Sequence, residues 1–135
     1  MDVIVAIDDK AGMMFNHRRQ SRDRVMNERI ARNLAGRTLF VAPYSVPLFT
    51  PFGVSLSASE DFLDRAAEED VCFVEDRPLA PYRSRIRRLT VYRWNRHYPA
   101  DLTLDLSLVE FHLVSTENFA GSSHEKITKE VYQHD

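Results

Sequence analysis

The sequence is short of the residues that open several common routes to function. Its single cysteine, Cys72 in the run VCFV, can form no internal disulfide and has no neighbouring thiol for a zinc site, so it reads as a plain buried thiol. Four Gly and six Pro in 135 residues are too few for linkers, and no low-complexity block or solenoid-type repeat occurs. No apolar run approaches a membrane span. The run Val3 to Ile7 is five residues long, with an acid before it and two behind it, which speaks against a signal peptide and for a cytoplasmic chain without membrane attachment.

Lysine is nearly absent, with three Lys against fifteen Arg. The planar guanidinium fork suits phosphate and carboxylate, so the bias leans towards anion recognition, although an Arg-rich genome gives the same composition. The net charge of -2 hides strong segregation: residues 17–37 carry seven Arg against Asp23 and Glu28, residues 60–76 carry eight acids against Arg65, and residues 77–96 carry seven Arg and no acid. With 44% hydrophobic residues, the chain is expected to be one soluble domain, 1–135, that buries its own core.

Val3 to Ile7 is β-branched and apolar throughout, the pattern of a central strand covered on both faces. Asp8 and Asp9 end it in turn chemistry; two carboxylates without a third ligand do not make a metal site, and no metal is expected. A helix is predicted from Ser21 as N-cap, with Asp23 in its first turn, a buried stripe of Val25, Met26, Ile30, Ala31 and Leu34, and Gly36 as C-terminal cap. Thr38–Ala42 and Val54–Leu56 read as strands, joined by the Pro-punctuated YSVPLFTPFG. Ser57 followed by Glu60 suggests a capping box for a helix burying Phe62, Leu63, Ala66 and Ala67. Val71–Val74 and Ile86–Asn95 are further strands, and this strand and helix order implies parallel pairing through right-handed crossovers. Val109–Phe119 and His124–Tyr132 form a terminal hairpin in which Phe111, Leu113, Ile127 and Val131 are expected to share one face.

The stretch expected to touch a ligand follows the first strand. GMMFNHRRQSRDR sets a glycine and three apolar residues before five positive charges, and Met13, Met14 and Phe15 either fold back on the core or line a pocket. Its candidate ligand-binding residues are Met14, Phe15, Asn16, Arg18, Arg19 and Arg22, and its candidate catalytic residues are His17 and Asp23.

Element order, the long strand YRSRIRRLTVYRW, the Asp101-Leu102-Thr103-Leu104 spacer and the closing EFHLVSTENF and HEKITKEVYQ together resemble the dihydrofolate reductase family over nearly the whole chain. The resemblance implies an α/β, three-layer fold: a central mixed sheet with helices on both faces and a C-terminal antiparallel hairpin. It also implies that Asp23 lies near the family's helix carboxylate, which hydrogen-bonds the pteridine. Both of the family's phosphate cradles are altered: Ala42-Pro43-Tyr44-Ser45 stands in place of its Gly-Arg-x-Thr turn, and Glu75-Asp76 in place of its paired glycines. His17-Arg18-Arg19 replaces its Pro-Trp. The opening block also resembles short bacterial proteins named ribonuclease Z, but the His-x-His-x-Asp-His cluster that holds two zinc ions in enzymes of that name is missing.

Three functions remain open on this reading. The first is a binding protein whose cleft between the first loop, the first helix and the Arg-rich strand takes a small phosphate- or carboxylate-bearing ligand such as a nucleotide. The second is an NADPH-dependent reductase with unusual cofactor loops. The third is RNA binding or metal-free RNA cleavage, with Tyr82, Tyr92, Trp94 and Tyr98 stacking on bases and His17 as acid or base. The residues name no cofactor, and a homodimer through the long strand or the hairpin also stays open.

Overall fold

A strand with no polar side chain between its ends must be covered on both faces, and the first strand, β1 (Asp2–Ile7), is so covered in the computed structural model, which describes residues 1–134. The remaining elements are β2 (Gly12–Phe15), β3 (Arg18–Arg19), α1 (Arg24–Asn33), β4 (Leu39–Val41), α2 (Val46–Phe49), β5 (Leu56–Ala58), α3 (Phe62–Arg65), β6 (Val71–Phe73), β7 (Arg88–Arg93), β8 (Leu102–Thr103), β9 (His112–Phe119) and β10 (Ile127–Gln133). Seven strands make one sheet in the order β5-β4-β6-β1-β7-β10-β9. The first five run parallel, and β10 and β9 close the edge antiparallel. The expected α/β mixed sheet with a terminal hairpin is therefore the architecture.

Alternation along β1 divides the core. Val3, Val5 and Ile7 face the layer of α3, packing with Phe62, Leu63 and Leu89, whereas Ile4 faces α1 and α2 with Met26, Ile30, Phe49 and Tyr92. Each of these fully buried side chains contributes about 1.5–3 kcal/mol of apolar transfer. Cys72 belongs to the α3 layer, where burial pushes its thiol pKa up to about 12.

Several boundaries differ from the sequence reading. Asp23, not Ser21, caps α1: its carboxylate accepts the Met26 N–H at 3.0 Å, while the Ser21 hydroxyl is turned to His124. The capping box does not form, because Ser57 is held extended in β5 opposite Phe40 and the helix behind it shrinks to Phe62–Arg65. The terminal hairpin does not put its four apolar residues on one face. A register shift between Val131 and Tyr132 places Leu113 opposite Tyr132, so Phe111 and Tyr132 join the α3 layer while Ile127 joins the α1 layer. Leu113 is left half exposed at 53%. No helix among the described residues is long and apolar enough to cross a membrane.

Candidate functional site

The C-terminal ends of β1, β4, β6 and β7 form one rim, and the basic first loop is built onto it. Asp8, at the end of β1, organises the loop. Its buried carboxylate accepts the N–H groups of Lys10 (2.9 Å), Gly12 (2.7 Å) and Tyr98 (3.0 Å) and the Gln20 amide (3.3 Å). Burial alone would raise the Asp8 pKa, but these donors outweigh it and hold the group below its ordinary value. Asp8 is thus a turn organiser with its lone pairs committed.

Beyond it, β2 and β3 form a hairpin whose two central residues, Asn16 and His17, both have positive φ (51° and 59°), as a type I′ turn requires. On its other side β2 pairs with β8, making a second sheet of order β3-β2-β8, and the Asn16 N–H is fixed to Asp101 Oδ2 at 3.1 Å. Gly12 is needed there, since a Cβ would stand 2.6 Å from Ala100 Cβ and Gln20 Nε2. Met14 is consequently buried, Phe15 is 47% exposed, and Asn16 and His17 stand in solvent at the hairpin tip.

Arg19 leaves the hairpin for the rim. Its Nε and Nη2 grip both oxygens of Glu75 (2.8 and 3.0 Å), the Ser45 hydroxyl donates to the same carboxylate at 2.7 Å, and the guanidinium lies 4.3 Å from the centre of the Tyr44 ring. Burial would lower the Arg19 pKa; the hydrogen-bonded Glu75 more than reverses this, so the guanidinium's pKa is raised. The two segments that the resemblance equated with phosphate cradles, around Tyr44-Ser45 and Glu75, are therefore joined to each other through Arg19.

Asp23 is the second fixed point. Besides capping α1 it accepts the N–H groups of Ser122 (3.0 Å) and Ser123 (2.9 Å), the Ser123 hydroxyl (3.3 Å) and His124 Nδ1 (3.1 Å). Burial opposes its ionisation, but the backbone donors of Ser122, Ser123 and Met26 with His124 hold its carboxyl far below the usual carboxylate range. An ionised Asp23 accepts from a proton on His124 Nδ1, and the ring's Nε2 faces the hydroxyls of Tyr98 (2.9 Å) and Ser21 (3.2 Å). Trp94 stacks on the imidazole at 4.5 Å. This chain, Asp23 to His124 to Tyr98, is a buried polar network that orients the Tyr98 phenol.

Tyr98 also lines a recess of about 410 Å³ between the first loop and residues 97–103, together with Lys10, Phe15 and His97. Arg18 stands opposite Phe15 in the hairpin, and the Arg96 carbonyl accepts the Asp9 N–H. The side chains of Lys10, Arg18, Arg22 and Arg96 have no ion-pair or hydrogen-bond partner among the described residues, and neither does His17. The recess is bordered by Lys10, His97 and an exposed aromatic wall, with the Asp8 carboxylate, already committed to backbone donors, also in its lining.

No family model matches the sequence, and no curated protein matches it, so the resemblance to short proteins named ribonuclease Z finds no support. Among solved structures, a dihydrofolate reductase from Enterococcus faecalis, complexed with NADP(H) and RAB-propyl, superimposes with a TM-score of 0.69 over 99% of this chain and 95% of that one, at 11% identity. The fold is dihydrofolate reductase-like. At that identity the likeness speaks for the scaffold.

The sequence-selected residues are thus divided over the scaffold. Phe15 borders the recess, Arg18 is its partner across the hairpin and exposed, Asn16 and His17 are at the tip, Met14 is core, Arg19 is paired, Arg22 is exposed and Asp23 is buried. Tyr92 and Trp94, read as base-stacking residues, are 1% and 4% exposed and pack against Phe119 and His124, which removes them from any stacking platform. Sequence reasoning missed His124 and Lys10, and it named Tyr98 only as a base-stacking residue, not as the partner of His124. The Gly-Ser-Ser-His run ahead of β10 was the available signal, since small hydroxyl residues before a histidine leave backbone donors free to converge on one carboxylate.

Proposed function

We propose that the protein binds a small anionic ligand with a planar body in the recess beside the first loop and does not work as a dinucleotide-dependent reductase. The observation that carries this reading is the exposed Phe15 ring lining the recess with the unpartnered Lys10, with the unpartnered Arg18 opposite Phe15 in the hairpin. A ring can stack on Phe15 for about 0.5–1.5 kcal/mol, while Lys10, Arg18 and His97 supply donors to a phosphate or carboxylate. Arg19 would be the natural phosphate ligand of the rim, but Glu75 already neutralises it. Binding a dinucleotide there requires breaking a bidentate pair and desolvating Glu75 against a polyanion.

The test is a calorimetric titration with nucleoside monophosphates, folates and sugar phosphates on wild type, Phe15→Ala and Lys10→Gln. Saturable binding that weakens roughly tenfold in each variant is expected, the size of one stacking contact or one charge-assisted hydrogen bond. Absence of binding across the panel, or binding indifferent to both substitutions, would refute the reading. Fluorescence quenching of NADPH at micromolar cofactor would restore the reductase.

A further inference from the structure

A second cavity, of about 260 Å³, opens at the other end of the sheet, on the face that α1 covers. It lies where β1, β6 and β7 begin, beside Asp2, Val71 and Arg88, which are neighbours in register, and under the last turn of α1. From there it runs along the sheet to Tyr92 and Lys129, and it shares no lining residue with the recess of the proposed function, so the two sites are separate.

The charges of this cavity do not balance. Arg37, Arg88 and Lys129 line it against one carboxylate, Asp2, whose oxygens are each 3.5 Å from another arginine, Arg37 and Arg87. Arg88 and Lys129 have no ion-pair or hydrogen-bond partner among the described residues. Glu117, which faces Lys129 in register, is taken by Arg29 at 2.5 Å. Arg88, Thr90 and Tyr92 project to one face of β7, and Val131 and Lys129 stand opposite Thr90 and Tyr92 on β10. The unpartnered cations therefore flank the Thr90–Val131 pair, four residues apart along the sheet, about 13 Å between backbones and less between the reaching side chains.

Between them the floor is apolar, made by Ile4, Ile30 and Leu34. At the Lys129 end there is also a donor. Tyr92 is buried, and the Asn33 amide bonds to its oxygen; burial pushes its pKa up to about 12, so the phenol keeps its proton. A cation at each end of a short apolar trough matches one shape of ligand.

We infer that this cavity is a binding site for a small organic dianion, a short aliphatic chain with an acid group at each end, held by Arg88 at one end and Lys129 at the other. Its length follows from the two cations and its unbranched body from the Ile30–Leu34 floor. Asp2 disfavours any ligand that places a third acid beside Arg37.

The test uses adipate as the dianion, hexanoate as a monoanion of equal length and inorganic phosphate as a compact anion, followed by amide NMR so that the site is resolved along with the affinity. Adipate is expected to shift the amides of Leu34, Thr90 and Val131 saturably and to bind at least about tenfold more tightly than hexanoate or phosphate. Arg88→Gln, at an exposed position, and Lys129→Gln, at a half-buried one without an ion pair, should each bring adipate down to the level of hexanoate while leaving the melting temperature of the free protein little changed. No saturable shift with adipate, equal binding of adipate and hexanoate, or adipate binding unchanged in both variants would overturn the assignment. Shifts confined to Gly12, Phe15 and Thr103 would place the anion in the first-loop recess and overturn it as well. Failure here leaves the first-loop reading standing, because Phe15→Ala and Lys10→Gln report on that site alone.

Discussion

Asp23 gathers more donors than any other carboxylate described above, and what it does follows from them. Its oxygens satisfy the first turn of α1, two amides of the turn before β10 and the imidazole of His124, whose sequence distance from it is 101 residues. Replacing it by Ala leaves these buried donors unpaired and removes an N-cap, a loss of about 3–5 kcal/mol that urea denaturation would register. The pH dependence has a defined sign. The folded-state pKa of Asp23 lies below its unfolded value of about 4, so its contribution is complete above that value and drains away as pH falls towards the folded pKa. Wild type should therefore lose urea resistance below about pH 4 more steeply than Asp23→Asn, which has no such carboxylate to protonate. Arg19 and Glu75 are the complementary case. Glu75→Ala strands a largely buried guanidinium and should cost roughly 2–4 kcal/mol, whereas Arg19→Met with Glu75→Leu should recover much of it.

The elements carry the next level of constraint. The first loop is a small sheet, β3-β2-β8, tied to the main one by Asp8 and Gln20, and so it presents Phe15 and Arg18 in a fixed relation. Gly12→Ala would push a methyl into Ala100 and Gln20, and Gly121→Ala would push one into the Asp23 carboxylate and Ile127. Each is expected to lower stability by about 1–3 kcal/mol by overpacking, and only Gly12→Ala should also weaken ligand binding at the recess. Strands were legible wherever an apolar run answered burial on both faces, as in Val3 to Ile7 and Val71 to Phe73. Hydrogen bonds across long sequence distances were not. Ser21 looked like the N-cap because local pattern cannot see that His124 claims its hydroxyl, and the hairpin's apolar residues split between two faces because a bulge at Val131/Tyr132 is not written in their spacing.

For the molecule as a whole, charge segregation along the sequence turned into pairing in space, much of it between residues far apart in the chain. The acids of 60–76 serve Arg65, Arg77, Arg87 and Arg19, while the arginines of α1 pair with Glu28 and Glu117. Among the described residues, unpaired cations include Lys10, Arg18, Arg22 and Arg96 about the first loop, Arg88 at the start of β7 and Lys129 opposite Tyr92 on β10. The proposed anion binding would use these cations, while Glu75 holds Arg19 back from it. Site-resolved amide NMR during titration with a nucleoside monophosphate tests this most directly. The account predicts saturable shifts at Gly12 to Phe15 and His97 to Thr103, with Ser45 and Glu75 unmoved. Shifts centred on Ser45, Glu75 and the Arg19 side chain, with the Arg19–Glu75 pair opened, would contradict it.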